Sequence, residues 1–265
     1  MPSKLSLDQI RKYWTEQSIK HGQLPSSSWS NHSVIEMEIR EILQRLEDDE
    51  RVLDVGCANG YSTCRIASQK RVFVRGLDYV PEMIDNARLR FQDIKDKLLG
   101  VVEFEVGDIT ALNEPSGAYD KVVVTRVVIN LGDWGLQLQG LRECARVLKP
   151  GGMLLLSEAT LQGWQRLNRF RNEMGLSDIP IPPFNFYLDE DKLIEAMSDD
   201  FYHVETANFA STYYIGTRVF KPLLNQALGG KINVADPDME WNRWFSQLPS
   251  FGDYGTRKLF VFRKK

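Results

Sequence analysis

The chain has 265 residues, which is more than one domain of average size needs and fewer than two would fill. Hydrophobic residues make up 43% and charged residues 26%, as in ordinary globular proteins, so the composition excludes global disorder and a fibrous fold. The net charge is −3 and the two signs are mixed along the chain, so we expect no nucleic-acid partner, which would favour a basic face.

The first residues and the cysteine content indicate a soluble, cytoplasmic protein. Charges occupy the positions where a signal peptide needs its apolar stretch, and no run approaches the ~20 apolar residues of a membrane span, so we expect no membrane partner. Cys57, Cys64 and Cys144 form no Cys-x-x-Cys pair, and the three histidines are scattered. We therefore expect neither a metal site nor a disulfide framework.

Two helices are predicted before residue 50, over about 7–20 and 33–48. Each begins at a capping box, in which a serine is followed three residues later by Glu or Gln: Ser6 with Gln9, and Ser33 with Glu36. The loop between them is rich in Pro, Ser and Gly and carries Trp29. We assign residues 1–49 to an N-terminal helical cap.

From residue 51 onward, short apolar runs alternate with amphipathic segments. The predicted strands are 51–55, 72–77, 101–106, 121–125 and 153–157, and the predicted helices are 61–69, 81–98 and 134–148. This alternation predicts an α/β fold with a parallel, doubly wound sheet. After residue 158 the alternation stops: we expect a loop-rich segment over 159–188, a helix near 189–197, strands near 202–209 and 258–263, and helical patches and loops over 211–255.

The chemical signal lies in the turns after the first three strands. The turn Asp54-Val55-Gly56-Cys57-Ala58-Asn59-Gly60 has glycines that let the backbone approach a ligand, but its spacing differs from the Gly-x-Gly-x-x-Gly of a dinucleotide site. Asp54 would repel a pyrophosphate and suits a cationic amino-acid group. Asp78 ends the second strand, where a carboxylate can accept both hydroxyls of a ribose. A lone aspartate at a strand end is more often a turn cap, but two on adjacent strands favour a ligand site.

These turns, together with Leu77-Asp78-Tyr79-Val80-Pro81-Glu82-Met83-Ile84, Gly107-Asp108-Ile109 and Leu148-Lys149-Pro150-Gly151-Gly152, resemble the ordered motifs of class I S-adenosylmethionine-dependent methyltransferases. The resemblance covers about residues 50–158. It implies a Rossmann-like seven-stranded sheet whose last strand is antiparallel, with 202–209 and 258–263 as strands six and seven. It also implies S-adenosyl-L-methionine as the cofactor, and a methyltransferase domain over 50–265 with cap insertions at about 159–188 and 211–255.

By the same resemblance, Asp54 and Gly56 face the methionine end of the cofactor, Asp78 the ribose, and Asp108 with Ile109 the adenine. Ala58 replaces a glycine that many members have, and we expect so small a residue to preserve binding. The expected cofactor-binding residues are Asp54, Gly56, Cys57, Ala58, Gly60, Asp78, Tyr79, Met83, Gly107, Asp108, Ile109 and Arg126.

Methyl transfer from a sulfonium is an in-line displacement, so positioning and exclusion of water can supply much of the catalysis. An alcohol or a protonated amine would also need a general base. The candidate catalytic residues are Glu158 at the end of strand five, Arg126 at the end of strand four, and His32. The alternatives are a loop-capping carboxylate, a sheet-capping arginine and a solvated histidine; His21 also lies in a segment expected to fold over the site.

Aromatic residues are concentrated outside the strand-helix core, where five of the six tryptophans lie. This distribution suits an acceptor pocket that excludes water, although each ring alone could equally pack a cap onto the sheet. The candidate substrate-binding residues are Trp29, Arg169, Tyr187, Tyr213, Tyr214 and Arg218, the arginines as partners for a carboxylate or phosphate.

The leading hypothesis is a methyltransferase acting on an oxygen or nitrogen of a small polar metabolite, such as a sugar or a natural-product intermediate. The alternatives are a protein or peptide methyltransferase, a nicotinamide-dependent oxidoreductase on the same sheet, and a non-catalytic protein that binds the cofactor and holds a partner with its caps. The sequence specifies neither the acceptor, nor the atom methylated, nor an oligomeric state, and it indicates no metal.

Overall fold

A sheet of seven strands runs through the computed structural model, which describes residues 5–265. The strands are β1 (Arg51–Val55), β2 (Phe73–Asp78), β3 (Val101–Val106), β4 (Tyr119–Thr125), β5 (Leu148–Ala159), β6 (Phe201–Ala207) and β7 (Arg257–Lys264). Their order across the sheet is β3-β2-β1-β4-β5-β7-β6, and β7 is antiparallel to both of its neighbours. The predicted seven-stranded sheet with an antiparallel last strand is confirmed. Residues 1–4, where the predicted N-terminal cap begins, lie outside the described residues.

Helices cover both faces of the sheet and its carboxyl edge. They are α1 (Leu7–His21), α2 (His32–Leu43), α3 (Tyr61–Gln69), α4 (Pro81–Ile94), α5 (Trp134–Val147), α6 (Leu161–Glu173), α7 (Glu190–Met197), α8 (Ser211–Ile215), α9 (Lys221–Ala227) and α10 (Glu240–Phe245). A π-helical turn, Gly216–Phe220, joins α8 to α9. Within residues 5–265, no helix is long and apolar enough to cross a membrane.

The core consists of two apolar clusters on opposite faces of the sheet. Successive residues of β1 show the division, because Val52 belongs to the cluster under α2, α3 and α4, whereas Leu53 belongs to the cluster under α5 and α7. Side chains alternate between faces along a strand, so each face of the sheet is buried under its own helices. This arrangement leaves the carboxyl ends of the strands as the edge where loops can form a site.

The N-terminal helices differ in one detail from the sequence prediction. The capping box at Ser6 is present, with Gln9 N–H donating to Ser6 Oγ and Ser6 N–H donating to Gln9 Oε1. The second capping box is wrong, because α2 begins at His32 and its cap is Asn31, whose side chain accepts from Val34 N–H. Glu36 instead accepts hydrogen bonds from Tyr61 and Arg65 on α3, so it joins the cap helix to the sheet domain.

The segment predicted to be loop-rich, 159–188, contains the helix α6 over Leu161–Glu173. The helix has apolar residues three positions apart, at Leu161, Trp164, Leu167 and Phe170, so a helical pattern is present. The prediction of a loop followed the prolines at 180, 182 and 183, which lie beyond the end of the helix. The helix begins at a polar cap, since the Thr160 hydroxyl accepts from Gly163 N–H at 3.1 Å.

Candidate active site

The loop after β1 has a backbone that favours glycine at three positions. Gly56, Ala58 and Gly60 have φ values of 77°, 48° and 70°, all in the left-handed region. A Cβ at Gly60 would lie 2.6 Å from the Phe104 ring, and one at Gly56 would collide with the side chain of Val127. Ala58 adopts the same region with a side chain, at a cost of roughly 1 kcal/mol.

Asp78 fastens this loop to the end of β2. Its carboxylate accepts from Ala58 N–H at 3.0 Å and from Val80 N–H at 2.9 Å. Burial raises the pKa of Asp78 to about 6. The carboxyl group nonetheless reaches a cavity at the strand ends, so it combines a structural role with a position facing a possible ligand.

This strand-end cavity has a volume of about 310 Å³ and is roofed by α1, which contributes Leu7, Asp8, Arg11 and Trp14 to its wall. The predicted cofactor-binding residues that line it are Gly56, Ala58, Asp78, Tyr79, Met83, Gly107, Asp108, Ile109 and Arg126. The turns after β1, β2, β3 and β4 therefore meet around one space, as expected for the carboxyl edge of a doubly wound sheet.

Three residues predicted to contact the cofactor lie behind the loop and not in the cavity wall. Asp54 is buried and accepts from the Thr63 hydroxyl at 2.6 Å, and burial raises its pKa to about 6. Cys57 has a buried thiol, and Gly60 starts α3 against Phe104. These three residues shape the turn. The sequence motif reflects the backbone conformation of the turn, and a residue needed for that conformation need not direct its side chain toward a ligand.

Arg126 lies where the strand-end cavity meets a second one. Its φ of 62° is in the left-handed region, which is strained for a side chain of this size. The buried guanidinium forms an ion pair with Glu38 on α2 and lies 5.6 Å from the centre of the Trp29 ring. Glu38 also accepts from the Ser157 hydroxyl. The prediction that Arg126 belongs to the site agrees with this position, but its charge is already paired.

The second cavity, which we call the cap cavity, has a volume of about 280 Å³. Its wall is formed by α1, the loop of residues 26–30, the turn after β4, the loop of residues 182–187, Tyr214 and the start of β7. The two cavities share Trp14, Ser28, Arg126 and Asn130. Trp14 Nε1 donates to Asn130 Oδ1 at 2.8 Å, so this hydrogen bond spans the junction between them.

The structure divides the predicted substrate-binding residues into two groups. Trp29, Tyr187 and Tyr214 line the cap cavity. Tyr213 lies in the core, where its hydroxyl donates to Asn31 and accepts from Asn242, so it does not line either cavity.

The two arginines proposed for the acceptor also line neither cavity. Arg169 lies on the exposed face of α6. Arg218 lies in the π-helical turn, where its carbonyl accepts from Arg171. The structure therefore does not bring these two arginines together with the other predicted substrate-binding residues.

Two of the three predicted catalytic residues are also outside both cavities. Glu158 is fully buried and one of its oxygens accepts from the N–H groups of Val127 and Val128, both at 2.7 Å. Burial raises the pKa of Glu158 to about 7. This is the loop-capping role, and it corrects the assignment of Glu158 as a base. His32 is exposed on α2 and shares a hydrogen bond of 2.9 Å with the Tyr61 hydroxyl, so it too is corrected.

Two residues of the cap cavity were not among the predicted site residues, although His21 was noted in a segment expected to fold over the site and only Arg257 was not considered. His21 lines the cavity, with Nδ1 3.0 Å from the Ser26 hydroxyl. Arg257 begins β7 opposite Ala159, the last residue of β5. The expected antiparallel last strand could have located Arg257, because a strand that runs against β5 must begin at the carboxyl edge of the sheet.

Comparisons with known proteins agree with this fold. Residues 52–152 match the family model described as a methyltransferase domain. A 27-O-demethylrifamycin SV methyltransferase from Amycolatopsis mediterranei is 28% identical over 167 residues, which cover 58% of this chain and 55% of that protein. A ubiquinone/menaquinone biosynthesis C-methyltransferase from a Geobacter species is 33% identical over 110 residues, covering 41% and 45%. The chain thus aligns with about half the length of these curated relatives.

A solved structure is similar over nearly the whole chain. The magnesium protoporphyrin IX methyltransferase from Synechocystis, crystallised with bound SAH (S-adenosylhomocysteine), superposes with a TM-score of 0.62 at 13% identity and covers 98% of this chain and 100% of that one. At this identity the similarity shows the fold alone. Sheet order, motifs and family match together define a class I S-adenosylmethionine-dependent methyltransferase domain. The cofactor of this family is S-adenosylmethionine, and a glycine-shaped turn beside a buried carboxylate fits such a nucleoside.

Proposed function

We propose that this protein transfers the methyl group of S-adenosylmethionine to an oxygen or nitrogen atom of a small polar metabolite, such as a sugar or a natural-product intermediate. The observation that carries the proposal is the junction of the two cavities at Trp14, Ser28, Arg126 and Asn130. A cofactor in the strand-end cavity and an acceptor in the cap cavity would meet there. The Amycolatopsis relative, named for a natural-product acceptor, supports the same class of substrate.

The size and walls of the cap cavity favour a small acceptor over a protein segment. Its volume of about 280 Å³ is near the lower end of the roughly 300–1,000 Å³ of ligand pockets. Six separate parts of the chain surround it, including α1 and the 182–187 loop, and Tyr13 of α1 stacks on Phe184 of that loop at 4.9 Å. A peptide would need an open groove between these parts.

We propose that Asp78 accepts the ribose hydroxyls, that Met83 and Ile109 contact the adenine, and that Gly56 lies against the methionine portion. Each of these residues lines the strand-end cavity. The bound cofactor supplies an electrophilic methyl group. The chain itself contributes positioning of the acceptor and exclusion of water by α1, which are the effects that a displacement at a sulfonium most needs.

We propose His21 as the general base for an acceptor hydroxyl. Of the three histidines, all within residues 5–265, it is the one that lines the cap cavity. In the tautomer in which Nδ1–H donates to the Ser26 hydroxyl, the ring is held in place and Nε2 is the atom that can take the proton. Histidine is the side chain that most often serves as a general base in proteins.

The test combines binding with turnover. Calorimetry with SAH should show binding, and transfer of a labelled methyl group to a metabolite extract should give a small-molecule product. We expect His21→Gln to lower the turnover number by roughly a hundredfold or more without changing SAH affinity. The control, His203→Gln, replaces an exposed histidine on β6 and should leave both quantities unchanged.

Several outcomes would contradict the proposal. Absence of SAH binding at millimolar concentration would remove its basis. Label found only in protein would favour a protein methyltransferase, and binding without any turnover would favour a non-catalytic partner-binding protein. Nuclear magnetic resonance of the product methyl group distinguishes attachment to oxygen or nitrogen from attachment to carbon, the atom class in the name of the Geobacter relative.

A further inference from the structure

The inner wall of the cap cavity contains a buried arginine without a hydrogen-bond acceptor. Arg257 is 6% exposed and lines the cavity. Within residues 5–265, its Nε and Nη1 atoms donate to no acceptor. A buried guanidinium normally has its donors satisfied, because removing a charged group from water without a partner costs several kcal/mol. The proposed acceptor is the group that could supply the missing partner.

None of the neighbouring carboxyl groups accepts from Nε or Nη1 of Arg257, and the Oε2 atom of Glu158 also has no hydrogen-bond partner within residues 5–265. Glu38 Oε1 lies 3.9 Å from Arg257 Nη1, beyond hydrogen-bond range, while Glu38 forms its ion pair with Arg126 and accepts from Ser157. One oxygen of Glu158 accepts from two backbone N–H groups, and burial raises the pKa of Glu158 to about 7. Both oxygens of Glu38 and one oxygen of Glu158 are therefore taken by other donors, and two donors of the Arg257 guanidinium remain without an acceptor.

Six aromatic side chains also line the cavity, beside polar residues such as Ser26, Asn130 and Asn185. The Arg257 guanidinium lies 4.6 Å from the centre of the Trp29 ring, which also faces Arg126, so the indole holds both cations in place. The other rings around the cavity belong to Tyr13, Trp14, Phe184, Tyr187 and Tyr214. Flat aromatic walls bind a flat apolar body, whereas a guanidinium binds two coplanar oxygens through parallel N–H donors.

We infer that the cap cavity binds an acceptor composed of a planar apolar body and a carboxylate, and that Arg257 selects the carboxylate. This inference rests on the proposed function and narrows its acceptor from a sugar or a natural-product intermediate to a natural-product intermediate with a planar ring system and a carboxylate. In the complex the carboxylate accepts from the Arg257 donors that lack an acceptor, and the ring system lies between the aromatic side chains. Arg257 is then a determinant of specificity, while proton transfer remains with His21.

The experiment compares an aromatic carboxylate with its uncharged amide. The probes are 2-naphthoate and 2-naphthamide, titrated calorimetrically into the full chain saturated with SAH. We expect the carboxylate to bind at least about tenfold more tightly than the amide. Arg257→Gln should reduce that ratio to near one, while Arg257→Lys, which keeps the charge but not the planar fork, should retain part of it. The control is Arg169→Gln, on the exposed face of α6.

Equal affinities of the two probes for the unmodified protein would overturn the inference, and so would an Arg257→Gln variant that keeps the full preference. Failure of both probes to bind at millimolar concentration, with SAH still bound, would overturn it as well and leave the proposed function standing. Failure of SAH itself to bind would instead refute the proposed function. If Arg257→Gln does not fold, the Arg257→Lys ratio decides, because an undiminished preference there contradicts recognition by the planar fork.

Discussion

Replacing Asp78 by Asn tests whether this carboxylate binds the ribose. The change removes the charge and leaves one carbonyl oxygen, so only one of the two backbone donors, Ala58 N–H or Val80 N–H, keeps its acceptor. A hydrogen bond to a charged group contributes roughly 1.5–3 kcal/mol, so SAH should bind about tenfold to a hundredfold more weakly. The lost backbone bond should also lower the free energy of unfolding by roughly 1–3 kcal/mol.

The pH dependence of binding gives a second, independent signature of Asp78. Burial raises its pKa to about 6 in the free protein, so the carboxylate is mostly ionised at pH 8 and mostly protonated at pH 5. Because ribose hydroxyls donate to the ionised form, SAH affinity should fall by about tenfold between these pH values. The asparagine side chain in Asp78→Asn does not titrate, so SAH affinity in this variant should depend much less on pH.

The assay is calorimetric titration of SAH at several pH values on the unmodified protein and on two variants. Asp108→Asn is the matched control, because Asp108 also lines the strand-end cavity but its carboxylate binds Thr110. The control should keep the pH slope that Asp78→Asn loses. A flat profile in the unmodified protein, or an unchanged profile in Asp78→Asn, would refute the assignment of Asp78 to the ribose.

Two further predictions concern Ala58, which has a left-handed backbone conformation, and Glu158, which is a buried carboxyl group. Ala58→Gly should raise the free energy of unfolding by roughly 0.5–1 kcal/mol, because φ is 48° there; thermal unfolding measures this, and a lower melting temperature would contradict it. Glu158→Gln should retain turnover, since Glu158 lines neither cavity; loss of turnover with SAH still bound would restore it as a base. Burial raises the pKa of Glu158 to about 7, so the native state binds its proton more tightly than the unfolded chain does. The contribution of Glu158 to stability therefore falls as pH rises from about 4.5 to about 7, and pH-dependent denaturant unfolding should show that Glu158→Gln loses this trend.

The sheet and the strand-end cavity could be predicted because their signals are local. A left-handed turn requires glycine at Gly56 and Gly60, and an aspartate ends β2 where the strand leaves the sheet. The errors arose where the same local pattern fits two structures. Asn31 and Ser33 are both good N-caps, and only the packing of α2 on α3, through Glu36, determines which one is used.

The acceptor side was less predictable because it is assembled from distant parts of the chain. Arg257 and His21 are separated by most of the sequence, and they line one cavity only after β7 pairs with β5 and α1 crosses the sheet edge. The opposite case, at Arg169 and Arg218, has the same origin. Which arginine faces inward depends on the phase of a helix, and the sequence analysis predicts a loop-rich segment, with no helix, over the residues that form α6.

The helix α1 contributes to the walls of both cavities, with Leu7, Asp8 and Arg11 on one side, Tyr13, Gln17 and His21 on the other, and Trp14 on both. If the proposed function holds, the cofactor and the acceptor would lie behind the same structural element. A displacement of α1 that admits one ligand would then also uncover the other, and exchange of the two products would be mechanically coupled. The strength of the α1 contacts, such as the Trp14 hydrogen bond to Asn130, would then govern how often the enzyme can turn over.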